Sequence, residues 1–376
     1  YLPIPSYLGE MKSKPVQQSV RMLNSMGIEP DIVVGRSEVE MDNRRKERVA
    51  LFCNVDKKAV ISNPDVKSIY EVPLILEKQR VGELILEKLH LPKRGRDLVE
   101  WRKLIRRIKS VKNKMRIAVV GKYFGTGSFE LADSYVSVIE SLKHAAWATR
   151  SSPELTWIDS GKIEKNGAAK TLRGFDGIVV PGGFGSRGIE GMIEAVKYAR
   201  VNKIPYLGLC YGMQMATIEF ARNVAGLRRA NTTEVDPKTP DPVIHIMPDQ
   251  EKKLLNRQYG GSMRLGAWDC VIKRGTRTER EYIGARIISA SGSAKISERH
   301  RHRYEFNNKY RNMLESFGLV VSGTSPDKKL VEIIELPDHP FFIGSQFHPE
   351  FLSRPMRPHP LFLGFAKSIQ KAKKRR

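Results

Sequence analysis

The stretch PYLGLCYGMQMATIEFARNVAGL, residues 205–227, sets Cys210 between Gly208 and Gly212, after a short apolar run and before a helix-like one. A strand turning sharply into a helix at this point needs small neighbours on both sides, the logic of a G-x-C-x-G nucleophile elbow. Such an elbow exposes the sulfur at the edge of a sheet and aims a helix N-terminus at it, which stabilises a thiolate. The chemistry implied is covalent attack on a carbonyl carbon, followed by an oxyanion that wants two donors. The backbone amide of Tyr211 supplies one, and the PGGFG turn at 181–185 can supply another. The plainer reading is a buried cysteine that happens to end a strand.

A sulfur nucleophile needs a base, and the base needs an orienter. Of the eight histidines, His348 in GSQFHPEFLS suits best: it follows the apolar run FFIG, and Glu350 stands two residues on. An extended backbone would put both side chains on one side. Other clusters carry less. In ERHRHRYE, residues 298–305, His300 and His302 are two apart, but no carboxylate or cysteine pattern with ligand spacing accompanies them. Read as an extended segment, it places Arg299, Arg301 and Arg303 on one side, where a guanidinium can grip a carboxylate. Cys53 and Cys270 lie in apolar stretches without flanking glycines and read as structural thiols. GKYFGTGS at 121–128 is glycine-rich but lacks the lysine–hydroxyl ending of a phosphate loop.

Alternating elements hold these residues. IAVVGKY (117–123) reads as a buried strand, followed by a helical pattern through Tyr135, Val138, Ile139 and Leu142. FDGIVV (175–180) reads as a second strand, residues 190–201 as a helix, and PYLGL (205–209) as the strand running into Cys210. This order predicts an α/β fold with a doubly wound, mostly parallel sheet, whose ligands gather at the carboxyl ends of the strands. Residues 1–92 mix pieces read as β-rich (DIVVGR, KAVI, SIYEVPLILE) with helical ones, making a small α/β unit. Leu98, Trp101, Ile105, Ile108 and Val111 form one helical stripe amid arginines and lysines. The expected organisation is a first domain over 1–97, a basic amphipathic linker helix over 98–114, and a second domain over 115–376.

The chain has 376 residues, 65 basic against 41 acidic, for a net charge of +24. Residues 93–116 hold eleven basic and two acidic ones, and the tail from Lys367 adds six basic. Such a balance favours anionic partners. No zinc-finger, helix-turn-helix or aromatic–glycine signature accompanies it, so a nucleic-acid role is disfavoured. No apolar run is long enough for a membrane-spanning helix. Three cysteines make no disulfide framework and suggest a reducing, cytoplasmic setting. The opening YLPIPSYLGEMKSKP reads like the middle of a domain, so a preceding segment is expected.

IPYLGLCYGMQMATIEFARNVAGL, NTTEVDP, GGSMRLGA, ERHRHRYE and FHPEF together resemble the amidotransferase half of the CTP synthase family. GEMKSKPVQQSV, PDIVVGRSE, RVALFCNV and SIYEVPLILE look like the closing part of that family's P-loop-type synthetase domain, without its phosphate loop. The resemblance implies a class I glutamine amidotransferase fold and the ATP-dependent amination of UTP to CTP, with ammonia drawn from glutamine. It implies Cys210 as nucleophile, His348 as proton carrier and Glu350 as its support. Gly183, Tyr211, Gly212, Met213, Gln214, Glu234 and Arg303 would bind glutamine, Glu234 facing its ammonium and Arg303 its carboxylate. Lys12, Ser13, Lys14, Pro15, Val16, Gln17 and Arg48 would bind UTP or CTP, and Arg36 and Arg264 would be further nucleotide or lid contacts. Tyr211 stands where that family usually has leucine, Val16 where it has threonine, and Arg48 where it has lysine. The resemblance also implies Mg2+ and ATP held outside these residues, GTP as activator, CTP as feedback inhibitor, a homotetramer, and no metal within this chain. Another triad amidotransferase, a cysteine peptidase of similar architecture, or a basic nucleic-acid binder remain the competing readings.

Overall fold

The computed structural model describes residues 1–374 except 94, 96, 123–124, 127–128, 131–134 and 247–262, and no side chains at 125, 126, 129 and 130. The chain divides into two compact units, residues 1–106 and 107–376.

In the first unit, helix α1 (Lys14–Ser25) begins on KSKPVQ, with Pro15 in its first turn, where a missing N–H costs nothing. A two-stranded parallel sheet pairs β1 (Val33–Ser37) with β2 (Val60–Pro64). Helix α2 (Asn43–Cys53) is capped by the Asp42 carboxylate, which accepts from the Arg45 amide at 2.8 Å. Val16, Val20, Val33, Val49, Cys53 and Val60 close the small core. SIYEVPLILE, read as β-rich, instead forms a short turn and the helix Val72–Lys78, started by Pro73. A proline at the start of the helix and the run after it, which lacks strict alternation, favour the helix. Helix α3 (Val99–Ser110) buries Leu104 and Ile105, and the Trp101 indole donates to the Tyr70 carbonyl at 2.8 Å.

Among the described residues the second unit is built on a nine-stranded mixed sheet between helices, with a smaller three-stranded sheet beside it. Its labelled elements are β3 (Lys114–Gly121), α4 (Val136–Ala148), β4 (Ser152–Asp159), β5 (Gly177–Val180), α5 (Ile189–Val201), β6 (Tyr206–Leu209) and α6 (Tyr211–Asn223). There follow β7 (Arg264–Ile272), β8 (Lys295–His302), β9 (Val320–Thr324), β10 (Val331–Glu335), β11 (Phe342–Ser345) and α7 (Pro360–Lys373). The strand order is β8-β7-β9-β10-β11-β6-β5-β3-β4. The stretch from β11 to β4 is parallel, as the alternation of strands and helices predicts; β8 to β11 pair antiparallel and build the turn-rich later sequence into a wing. The central strands β5 and β6 are buried on both faces, which explains their uninterrupted apolar runs. Helices α5 and α6 cover one face with Met192, Ile193, Val196 and Met213. Helices α4 and α7 cover the other with Val138, Leu142, Phe362 and Phe365.

Candidate active site

Four consecutive buried residues carry β6 through the middle of the sheet, and the chain reverses at Cys210. Its backbone takes φ +52° and ψ −99°, a conformation that costs a residue with a Cβ and survives only where surroundings impose it. Two glycines impose it. A Cβ on Gly212 would lie 2.1 Å from the Val180 carbonyl oxygen, and one on Gly208 would lie 2.7 Å from the backbone of Gly212. The Cys210 amide donates to the Ser345 carbonyl at 2.6 Å, so β11 pins the corner from the other side. Helix α6 starts at Tyr211, and the first-turn amides of a helix have no partner within it, so the positive end of α6 lies at the sulfur.

The same pairing delivers the base. β11 runs parallel to β6 with Ser345 opposite Leu209, so residues 346–350 emerge beside Cys210. His348 Nδ1 and Glu350 Oε1 are 2.7 Å apart. The backbone between them is not extended: Pro349–Phe351 form a single 3-10 turn that folds Glu350 back under the ring. The proline after His348 favours that turn over continued strand. The other ring nitrogen, Nε2, is buried, with the Cys210 sulfur as its neighbour. Burial opposes a charged ring here, but the Glu350 carboxylate and the Cys210 sulfur prevail and hold the His348 pKa well above the ordinary histidine range. A base so held carries its proton beside the Cys210 sulfur and can pass it to a leaving amine.

Cys210, His348 and Glu350 share one cavity of about 680 Å³, within the size range of small-molecule pockets. Gly183, Tyr211, Gln214, Glu234 and Arg303 also line it. Gly182 and Gly183 pass close to the reacting groups: a Cβ on Gly182 would sit 2.8 Å from His348 Cε1. Glu234 Oε1 accepts from the Gly185 amide at 2.8 Å. Burial raises the Glu234 carboxyl above its ordinary pKa, against the pull of the Gly185 amide, Lys122 and Arg303. An incoming ammonium would reverse that penalty. Arg303 Nε is buried with no hydrogen-bond partner among the described residues, a donor available to a ligand carboxylate.

Several expected contacts lie elsewhere. Gly212 and Met213 do not line the cavity: Gly212 packs on Val180, and Met213 is fully buried against Gly344, so their side of the helix supports the corner. Arg264 begins β7 and is buried, not displayed on a surface lid. Its guanidinium lies 2.7 Å from Glu332 and 3.5 Å from Glu305, and stacks on Trp268. The GGS preceding it and part of GKYFGTGS fall outside the described residues. In the first unit Val16 points into the core, and the Gln17 amide, also buried, donates to Ser13 Oγ at 3.1 Å. Lys14, Pro15 and Arg48 are exposed, Lys12 pairs with Glu10 at 2.8 Å, and Arg36 pairs with Asp65 at 3.4 Å. Arg299 and Arg301 do face outward from β8 while His300 and His302 are buried. His300 bonds Glu332 at 2.8 Å and His302 bonds Glu305 at 2.6 Å. Among the described residues no group of three His, Cys, Asp or Glu side chains could hold a metal ion.

Two site residues escape sequence reasoning. Gln346, fully buried, donates through Nε2 to Cys210 Sγ at 3.6 Å, and its own Oε1 accepts from Gln214 Nε2 at 3.3 Å. The signal was a polar residue directly after an apolar strand. Lys122 is the other; it lies behind the glycine loop, donating to the Phe184 carbonyl at 3.0 Å.

An elbow cysteine, a carboxylate-backed histidine and an acid–arginine pair in one cavity define an amidotransferase of the triad type. Residues 130–368 match the model of the class-I glutamine amidotransferases, and residues 1–91 match that of the CTP synthase N-terminus. The chain belongs to the class-I glutamine amidotransferase family. It is homologous to CTP synthases over most of its length. It is 51% identical over 361 residues to the CTP synthase of Caldanaerobacter subterraneus, covering 96% of this chain and 64% of that protein. It is 48% identical to the enzyme of Halalkalibacterium halodurans over 97% of this chain and 65% of that one. The chain thus spans slightly under two thirds of the curated relatives it matches. The structure of the Trypanosoma brucei CTPS glutaminase domain with bound acivicin matches 68% of this chain and 94% of its own, at 37% identity and a TM-score of 0.61.

Proposed function

We propose that this chain is the glutamine-hydrolysing part of a CTP synthase together with the end of its synthetase domain, divided as 1–97, linker 98–114 and 115–376. The observation that carries the proposal is the meeting of Cys210 on its strained corner with the His348–Glu350 pair in one cavity that also holds Glu234 and Arg303. Glu234 takes the substrate ammonium and Arg303 its carboxylate, which presents the side-chain amide to Cys210. Sγ adds to the amide carbon; the oxyanion rests on the Tyr211 amide and one from the glycine loop. His348 gives its Nε2 proton to the departing nitrogen, ammonia leaves, and a glutamyl thioester remains. Water then attacks that thioester with His348 as base, releasing glutamate and restoring the thiolate–imidazolium pair. Gln346, bonded to the sulfur, holds it in line throughout.

The ammonia would aminate UTP to CTP at the expense of ATP with Mg2+. UTP or CTP would meet the first unit near Lys12, Lys14 and Arg48; GTP as activator, CTP as inhibitor, a tetrameric assembly and a cytoplasmic setting complete the reading. Among the described residues no helix is long and apolar enough to cross a membrane. In the complete enzyme, Cys210→Ala should abolish glutamine-dependent CTP formation and spare formation fed by free ammonia. Loss of both in a folded variant would reject the assignment of the sulfur.

A further inference from the structure

Lys122 is a strongly displaced cation of the second unit that the chemistry above leaves unused. It is only 4% exposed, and burial pulls its pKa down to about 8, with Glu234 and Glu164 partly holding it up. A fold that buries an amine at such cost gains something by it. Its ammonium donates to two successive carbonyls, Phe184 at 3.0 Å and Gly185 at a shorter distance. It also sits 4.7 Å above the centre of the Tyr211 ring, a cation–π arrangement. The Tyr211 hydroxyl donates to the same Gly185 carbonyl at 2.7 Å.

Gly185 is therefore gripped on both sides. Its carbonyl accepts from Lys122 and Tyr211, and its amide donates to Glu234 at 2.8 Å. Its φ of +79° is one that residues with side chains rarely adopt. These contacts fix the peptide planes on either side of Gly185 and so anchor the end of the loop whose Gly182 and Gly183 pass His348 and the Tyr211 ring. Tyr211 acts at two levels: its backbone amide is the donor proposed above for the oxyanion, while its side chain anchors the loop that would offer the opposing donor. Glu234 links the same loop to the place where a ligand ammonium would bind.

We propose that Lys122 and Tyr211 are positioning residues: together they clamp the Gly182–Gly185 loop so that its amide forms the second half of the oxyanion hole. The proposal rests on the glutaminase reading of the site. Neither side chain touches the reacting atoms, so their effect falls on the stabilisation of the tetrahedral intermediate and not on the sulfur itself. The clamp also predicts that the two act as a unit.

The test compares Lys122→Met, Lys122→Arg, Tyr211→Phe and the double variant Lys122→Met/Tyr211→Phe in the same protein. Three readouts are taken: kcat and KM for glutamine hydrolysis, the rate of Cys210 alkylation by iodoacetamide, and the thermal unfolding midpoint. Lys122→Met and Tyr211→Phe should each lower kcat on the order of 10- to 100-fold, the scale of a weakened oxyanion donor, and change KM by about threefold or less. Alkylation, which needs no oxyanion hole, should stay within about twofold. Lys122→Arg should recover part of the loss, and the double variant should lose less than the product of the single losses. An unchanged kcat in both single variants overturns the proposal. So does alkylation that falls in step with kcat, or losses that multiply. If Lys122→Met fails to fold, Tyr211→Phe, which removes one hydroxyl, decides alone. A parent chain that alkylates at Cys210 but hydrolyses no glutamine would overturn the glutaminase reading itself, a result distinct from any of these.

Discussion

His348 stands between the Glu350 carboxylate and the Cys210 sulfur inside the protein, and that placement controls its charge. Burial alone would push its pKa down; Glu350 and the Cys210 sulfur reverse the sign. Removing either partner leaves burial less opposed, so the titration midpoint of His348 must fall in Glu350→Gln and in Cys210→Ala. Proton NMR of the ring, followed against pH, would show it, and a midpoint that did not move would mean the ring is held by something else. Hydrolysis by Glu350→Gln should lose kcat on the order of 10²- to 10⁴-fold, since the ring loses both orientation and support for its charge. At this scale the sequence was informative for a definite reason. Cys210 between two glycines is a local pattern, and His348 beside Glu350 gains its meaning from that cysteine upstream. Gln346 and Lys122 were not legible, because their roles arise from contacts with residues far along the chain. That Val16 and Gln17 turn inward was hidden for a similar reason: position in a motif does not reveal which face of a helix is buried.

At the level of elements, the site depends on how closely β5 and α6 approach. The α6 helix starts hard against the Val180 carbonyl, and no side chain fits between them. Gly212→Ala should therefore destabilise the second unit by several kcal/mol, about 2–4, since backbone and not a flexible side chain blocks the methyl. Urea unfolding would measure this; a loss within about 0.5 kcal/mol would show that the corner can relax. The strand–helix alternation through residue 209 was readable because buried parallel strands are uninterrupted apolar runs. The antiparallel wing was harder to order, since its strands β7 and β8 pair across a long connection. SIYEVPLILE shows the limit of composition: valine and isoleucine suggest strand, while Pro73 and the missing alternation select helix.

For the whole molecule, buried histidines set the response to acid. Burial pulls His144 and His339 down to about 4. The unfolded chain takes up these protons near 6.5, so between those values it binds more protons than the folded one. Stability present above about pH 6.5 is lost as pH falls toward about 4, each histidine contributing at most about 1.4 kcal/mol per pH unit. The raised carboxyls of Glu234 and Glu281 act in the opposite sense, since the folded state keeps their protons longer. Thermal melts at a series of pH values should show a midpoint falling through this window. A flat profile would mean both rings become solvated without unfolding. Charge at this scale was visible in composition, but which histidines are hidden from water was not, because His144 and His339 lie in stretches with ordinary polarity.

The partnership of β6 with β11 has a consequence for synthesis. These strands are neighbours in the sheet yet lie far apart in the chain, and residues 346–350 are made well over a hundred positions after Cys210. A growing polypeptide carries its sulfur out of the ribosome long before its imidazole exists. Until the last parallel strand docks, the cysteine has no proton carrier beside it, and the assembled sheet acts as the switch that arms the chemistry.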